Sequence, residues 1–328
     1  MFTIEDIKKQ ILEHHKKIRL VFPEGVESKI IEVATRIQKE GLADVNLLFN
    51  GSFEVPKDLD PGLKYTVVKE SLNEDMLQRI LEIRKGRLEV HDAVVLVQKR
   101  NYYGALLIDM DLADAMVCGL NYTTADTLRA ALQIVKTSEN YSIASSIFIM
   151  HKGEEDYIFT DCALNVDPDS KNLADIAYMA ARFALKLNVK NVEVAMLSYS
   201  TAGSGSGPTV DKVKKAVDRL KGMEDDTNGF LFDGEMQFDS AFIKAVRDKK
   251  YPNSRITKEK PDVFVFPDLN AGNIGYKIAQ RLGGFEAIGP FILGLRKPVN
   301  DLSRGATVED IYKTSVVTIY QAIMKGAK

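Results

Sequence analysis

The sequence predicts an α/β fold: mostly parallel strands covered by helices on both faces, arranged as two domains. Three observations carry this. Short apolar runs alternate along the chain with longer runs whose apolar residues recur at helical spacing, the pattern that parallel sheets with covering helices produce. At 328 residues the chain suits two domains of roughly 150 residues each. Hydrophobic residues make up 45% and charged residues 27%, an ordinary globular balance that excludes wholesale disorder.

The elements follow in order. The N-terminal MFTIEDIKKQILEHHKK reads as an amphipathic helix. Arg19–Gly25 reads as a strand, and 27–40 as a helix with Ile30, Ile31, Ala34 and Ile37 on one side and Gly41 as its stop. Segments 44–49 and 65–68 read as strands and 76–85 as a helix. The run HDAVVLVQKR at 91–100 is rich in β-branched residues, yet Val90, Ala93, Val94 and Val97 share a helix face, so a helix is expected. Segment 113–119 is strand-like, and 125–136 is a helix with Leu128, Leu132 and Val135 on one side. A second series has strands at 143–150, 157–164, 192–198, 262–266 and 287–295, with helices at 173–187, 210–220, 274–282 and 308–324. No internal repeat or low-complexity linker separates the two series, so the domain break has to lie inside the alternating pattern.

Composition narrows the function. Forty-four Lys and Arg against 46 Asp and Glu leave a formal net charge of −2, which argues against nucleic acid as a partner. No run approaches the roughly 18 apolar residues of a membrane span, so no membrane association is expected. The polar N-terminus lacks the continuous apolar stretch of a secretory signal. Cys118 and Cys162 make no disulfide framework and show no metal-ligand spacing, and a reducing, cytoplasmic location follows.

The densest polar segment is PVNDLSRGATVED at 298–310. Gly305 frees the backbone, so Asn300, Asp301, Ser303 and Arg304 are expected to crowd one turn. Thr307 and Asp310 match the capping pattern that opens a helix. A well-capped helix start explains those two residues but not Ser303 beside Arg304, a hydroxyl and a guanidinium suited to an anionic substrate. TTADTLR at 123–129 is a second capped start, with Arg129 as a candidate phosphate ligand or a plain surface cation. Ile83–Arg87 adds three cations around Gly86. SYSTAGSGSGP at 198–208 lies between a strand and a helix, where backbone N–H groups can cradle phosphate; it has neither a P-loop ending nor dinucleotide-site spacing. The carboxylates of DMDLAD (Asp109, Asp111, Asp114) could hold a divalent cation through oxygen ligands, but their spacing fits no EF-hand loop and a common acidic turn explains them better. None of the histidines at 14, 15, 91 and 151 is paired at metal-ligand spacing, and Cys118 reads as a small buried hydrophobe.

Several longer segments resemble the phosphate acetyltransferase (phosphotransacetylase) family almost end to end: VFPEG (21–25), GALLIDMDLADAMVCG (104–119), TTADTLRAALQIVKT (123–137), FDGEMQFDSAF (232–242), FPDLNAGNIGYKIAQRLGG (266–284) and GPFILGLRKPVNDLSRG (289–305). Two positions depart from the family pattern: Ala130 stands where proline is usual and Ala306 where cysteine is frequent. The resemblance implies two α/β/α domains of isocitrate/isopropylmalate dehydrogenase-like architecture with the site in the cleft between them, and a homodimer. It places residues 1–140 and 293–328 in one discontinuous domain and 141–292 in the other. It implies the reversible reaction of acetyl-CoA with inorganic phosphate to give CoA and acetyl phosphate, with coenzyme A as a substrate and no permanently bound cofactor or metal. By the same resemblance Asp310 takes the thiol proton, Ser303 stabilises the oxyanion, Arg304 binds the phosphoryl group, and Arg84 and Arg129 bind CoA phosphates. Ser204 and Ser206 of the glycine-rich turn are further candidate phosphate contacts.

These roles contain a tension. A thiol near pKa 8.5 and an Asp near 3.9 differ by about 4.6 units, or roughly 6 kcal/mol, so an unperturbed Asp is a weak base for a thiol. Desolvation would raise the Asp, and Asp310 is therefore expected to line a partly closed cleft. Two other functions compete: a non-catalytic sensor of CoA or acetyl-CoA, and an acyltransferase for butyryl or longer chains. Presence of Ser303, Arg304 and Asp310 together favours the enzyme. Acyl length depends on pocket volume, worth only about 1–3 kcal/mol per methylene.

Overall fold

The computed structural model of the chain describes residues 3–70, 74–223 and 229–326. Its first stretch contains α1 (Ile4–Glu13), β1 (Ile18–Phe22), α2 (Ser28–Lys39), β2 (Ala43–Phe49), β3 (Lys64–Val67), α3 (Glu74–Ile83), α4 (Val90–Val97), α5 (Arg100–Asp109), β4 (Ala115–Cys118) and α6 (Thr124–Ala130). The middle contains β5 (Ser145–Lys152), β6 (Glu155–Thr160), α7 (Ser170–Lys186), β7 (Val192–Leu197), α8 (Pro208–Lys221), β8 (Phe230–Met236), α9 (Phe238–Phe242), α10 (Lys244–Lys250), β9 (Val263–Val265), α11 (Leu269–Arg281) and β10 (Glu286–Leu293). The last stretch contains β11 (Val299–Asp301) and α12 (Val308–Gly326).

Two units result. One is Asn140–Gly294; the other joins Thr3–Glu139 to the segment that begins at Leu295. The second unit holds a sheet of order β11-β4-β1-β2-β3 with every pairing parallel. Its central strands β1 and β4 are mostly apolar rather than alternating, as a sheet covered on both faces requires: Leu20, Val21, Phe22, Met116 and Val117 are all buried. Helix α12 is buried almost continuously from Ile311 to Ile323.

The first unit holds a sheet of order β10-β5-β6-β9-β7-β8. Strands β6, β9, β7 and β8 run parallel, whereas β10–β5 and β5–β6 are antiparallel. The antiparallel edge has a local cause: β5 and β6 are joined by a two-residue turn with Gly153 at φ 61°, too short for a crossover. No helix among the described residues is long and apolar enough to cross a membrane.

Five named elements escaped the periodicity: α5, β8, the short helices α9 and α10, and β11. Helix α5 has no polar face, since Asn101 through Ile108 are all buried, so it shows no amphipathic signal. Strand β8 contains Asp233, Gly234 and Glu235, which interrupt any apolar strand pattern. Both carboxylates are buried and served: Asp233 accepts from the Tyr251 and Ser254 hydroxyls and Arg255 N–H, and Glu235 from the Ser200 hydroxyl and Gly203 N–H. Strand β11 is short and lies within a segment read as a turn. Asn300 and Asp301 therefore sit on a strand, with the Asn300 amide donating to Thr318 and Gln321 of α12, and only Ser303 and Arg304 occupy the turn. Gly305 is not among the residues with positive φ, so the expected left-handed freedom is not used there.

The carboxylates of DMDLAD go separate ways. Asp109 pairs with Arg79 and Arg296, Asp111 with Lys297, and Asp114 with Arg19 and Lys16. Two bonds from the Arg19 guanidinium at 2.9 Å and its backbone N–H at 3.0 Å hold the nearly buried Asp114 well below the usual carboxylate range, against the upward push of burial. A depressed folded-state pKa contributes stability above the ordinary value, 3.8, which is lost as pH falls below it. Asp114→Asn is expected to lower stability by about 1–2 kcal/mol at pH 7, given the partly exposed arginine, and by a somewhat smaller amount at pH 3, where the loss has only begun. Thermal unfolding of both proteins at the two pH values checks this; an equal gap at both would contradict it.

Candidate active site

In an open parallel sheet, binding sites form outside the carboxyl ends of the strands. Neighbouring strands β1, β4 and β11 end at Phe22, Cys118 and Asp301, and each leads into a turn rich in polar residues. The turn after β1 supplies Glu24, which is buried. Its carboxylate accepts four backbone N–H groups from the turn after β4: Gly119 at 2.8 Å and Leu120 at 3.0 Å on Oε2, Asn121 at 2.5 Å and Tyr122 at 3.0 Å on Oε1. A buried charge with so many donors is compensated, and it fixes the backbone ahead of α6.

Asp301, at the end of β11, is also buried but has poorer partners. Oδ2 accepts the Thr124 hydroxyl at 2.6 Å, whereas Oδ1 is buried with no hydrogen-bond partner. Burial pushes the Asp301 carboxyl up to about 6, further raised by Glu24 and opposed by the Thr124 and Thr127 hydroxyls and by Arg304. Gly119, at φ 118°, lets the two turns meet: a Cβ there would lie 2.2 Å from Asp301 Oδ1 and 2.7 Å from Leu302 N. Buried Cys118 receives the Thr127 hydroxyl at 3.7 Å, and its thiol is pushed up first by desolvation and then by Glu24. It is a core residue, not a nucleophile.

Ser303 and Arg304 follow Asp301 on an exposed turn, and Asp310 lies in the first turn of α12. Asp310 Oδ2 accepts the Thr307 N–H at 2.9 Å and the Thr307 hydroxyl at 2.7 Å, while its own N–H donates to that hydroxyl at 3.2 Å. The expected capping box is present. The expected partial burial of Asp310 is not: the side chain is exposed, because a cap faces outward beside a helix start. Lys29 of α2 holds the turn from behind through the Ala306 carbonyl at 2.9 Å.

The cations that follow α3 and the helix after β4 line a common basin. Helix α6 is capped by Thr123, whose hydroxyl accepts the Asp126 N–H. It continues as a π-helical turn, Ala131–Val135, and stops at Lys136, whose φ is 62°. Arg84, Lys85, Arg87, Gln133 and Lys136 line an open basin of about 510 Å³. Arg84 Nε is buried there without a partner. Arg129 is exposed and paired with Asp126 at 2.8 Å. Both Arg84 and Arg129 act electrostatically on the Tyr102 phenol, which donates to Gln133 at 2.9 Å, so the two arginines share one face of this unit. Lys136 is the cation that the sequence reading overlooked. It sits at the end of an apolar helical run, where a lysine reads as an ordinary helix terminus.

In the other unit the glycine-rich turn is held, not loose. Glu235 accepts the Ser200 hydroxyl and the Gly203 N–H, Ser204 Oγ accepts the Thr201 N–H at 2.9 Å, and the Ser206 carbonyl accepts the Tyr199 hydroxyl at 2.7 Å. Ser204 and Ser206 are both exposed. Helix α8 then starts at Pro208 without a side-chain cap.

Comparison with known proteins bears on this arrangement. Residues 2–319 match the family described as phosphate acetyl/butaryl transferase. The chain is similar to the phosphate acetyltransferase of Mycoplasma capricolum, 52% identical over 98% of this chain and 99% of that protein. It is 42% identical to the phosphate acetyltransferase of Bacillus subtilis over 94% of this chain and 96% of that one. Among solved structures, a phosphotransacetylase from Streptococcus pyogenes superposes with a TM-score of 0.89 at 40% identity, covering 98% of this chain and 99% of the other.

The bonds to Glu24 predict their own test. Glu24→Ala leaves four turn amides to find other partners and is expected to lower stability by about 3 kcal/mol or more. Glu24→Gln, which keeps one acceptor oxygen, should cost less. Urea unfolding of the two variants measures this; equal stabilities for Ala and wild type would show that the carboxylate does not hold the turn.

Proposed function

The chain belongs to the phosphate acetyl/butaryl transferase family, and from that premise we propose how its residues carry out reversible acetyl transfer between coenzyme A and phosphate. The observation that supports the assignment most is the placement of Ser303, Arg304 and Asp310 on one turn and helix start, at the carboxyl end of β11 beside β4 and β1. In the direction of acetyl-CoA synthesis, Asp310 accepts the thiol proton of CoA, using Oδ1, the oxygen not engaged with Thr307. The thiolate attacks the acetyl carbonyl of acetyl phosphate. A C–S bond forms, Ser303 donates to the developing oxyanion, and the C–O bond to phosphate breaks. Arg304 holds the phosphoryl group, because a planar guanidinium binds two oxygens at once. The phosphate leaves as inorganic phosphate, and the proton on Asp310 returns to solvent.

The basin of Arg84, Lys85, Arg87 and Lys136 is the proposed seat of CoA phosphates, with Arg129 beside it on the same face. Its support is four cations around an open cavity with one guanidinium nitrogen left unpartnered. Ser204 and Ser206 are proposed to contribute to phosphate binding mainly through the backbone of their turn, since the Ser204 hydroxyl already serves Thr201. We further propose a cytoplasmic homodimer. Helix α11 supports the dimer: it buries only Gly272 and presents Ile274, Ile278 and Leu282 at helical spacing, exposed by 57%, 53% and 86%.

The assay follows CoA thiol loss with acetyl phosphate in the presence of a chelator, with butyryl phosphate in parallel. Wild type should turn over. Arg304→Ala and Asp310→Asn should each lose about 10²–10³-fold in kcat/KM. Arg84→Ala should raise the KM for CoA about tenfold with kcat little changed. Near wild-type turnover by Asp310→Asn would remove it as the base. Binding of CoA without turnover of either donor would replace the enzyme by a CoA sensor, and preference for butyryl phosphate would move the substrate class. For the dimer, Ile278→Asp with Leu282→Asp should halve the mass in sedimentation equilibrium; an unchanged mass would place the interface elsewhere.

A further inference from the structure

Two buried carboxylates sit side by side where β1, β4 and β11 end, and only one is fully compensated. Glu24 takes all four amides of the turn after β4. Asp301, 2% exposed, is left with hydroxyl partners and one oxygen that has none. We propose that Asp301 is a positioning residue of the phosphate site whose carboxyl takes up one proton from solvent, on Oδ1, when an oxyanion settles on Arg304. The proposal rests on the assignment of Arg304 to phosphate.

The argument is a balance of charges around one carboxyl. Every element packed against Asp301 contributes a known group. The turn after β1 brings Glu24, which disfavours the carboxylate. Strand β4 brings the neutral Cys118 thiol. Helix α6 brings the Thr124 and Thr127 hydroxyls, which favour the carboxylate. Helix α12 meets β11 through Thr318 and Gln321, which are uncharged. The turn itself brings Arg304, whose positive charge favours the carboxylate. With burial, these contributions put the carboxyl at about 6. An anion on Arg304 offsets that charge as Asp301 experiences it, leaving burial and Glu24 opposed by the two hydroxyls alone, so the balance shifts toward the neutral form of Asp301. Coupling is reciprocal: if the anion favours protonation, protonation favours the anion. Anion affinity should therefore fall as pH rises through about 6, by about tenfold for each unit by which the anion raises the pKa. Protonation also relieves the repulsion between Asp301 and Glu24 while the Thr124 contact continues to join the Ser303–Arg304 turn to α6. That is how the residue positions the site without touching substrate.

The test uses sulfate, which stays a dianion throughout the range. Isothermal titration in two buffers of different ionisation enthalpy, from pH 5.5 to 8, gives both affinity and protons taken up. Wild type should take up a fraction of a proton on binding, most near or just above pH 6, and lose about tenfold in affinity across the range. Asp301→Asn should bind sulfate with no uptake attributable to this site and a flat profile. Thr124→Val, which removes a donor to the carboxylate, should shift the inflection to higher pH; it serves if Asp301→Asn does not fold. Proton uptake persisting in Asp301→Asn, or an inflection unmoved in Thr124→Val, would overturn the proposal while leaving Arg304 as the phosphate ligand. Sulfate binding as tight in Arg304→Ala as in wild type would overturn the phosphate assignment and the proposal together.

Discussion

The carboxylate of Glu24 is the constraint on which the site depends. It lies buried among strand ends and takes four backbone N–H groups from the turn after β4. A carboxylate in that position without donors would be prohibitively costly, and a turn whose amides had no acceptor would not hold its shape. Each therefore fixes the other. The turn in turn fixes Gly119 against Asp301 and sets the direction in which α6 departs. Ser303 and Arg304 begin immediately beyond Asp301.

This arrangement leaves polarity unevenly shared. One carboxylate absorbs the good donors, and its neighbour is left close to its protonation midpoint. On the proposed assignment of Arg304 to phosphate, the anion is held by a guanidinium in a setting that already contains two acidic groups. The capping box at Asp310 serves a different end. It satisfies the start of the long, buried α12 and leaves one carboxylate oxygen exposed beside the turn. The proposed base and the proposed anion ligand thus ride on the same short segment, one as a helix cap and the other as a turn residue.

Much of this was legible in the sequence. Apolar runs identified most strands of both sheets, β8 and β11 excepted, because parallel strands covered on two faces lose their alternation. The capping patterns at Thr123 and Thr307 held in detail. The helix at 91–100 was readable from the spacing of Val90, Ala93, Val94 and Val97 despite β-branched composition. What was not legible has a common cause: burial that ignores local pattern. Helix α5 is buried on all sides, and β8 hides two carboxylates whose partners come from distant turns. Glu24 fell inside the segment 19–25 read as a strand and drew no notice, because its donors lie almost a hundred positions away. Asp301 looked like a turn residue, because a three-residue strand gives no period. The exposure of Asp310 ran against an expectation drawn from chemistry alone, which asked for a desolvated base where the fold required an outward-facing cap.

The central claim is that the turn after β11 is where phosphate is held. The most direct measurement is a crystal structure of the protein grown with inorganic phosphate. The account predicts the anion within hydrogen-bond reach of the Arg304 guanidinium, with the Asp301–Thr124 contact intact. Phosphate ordered only in the basin of Arg84 and Lys136, with Arg304 turned to solvent, would contradict it.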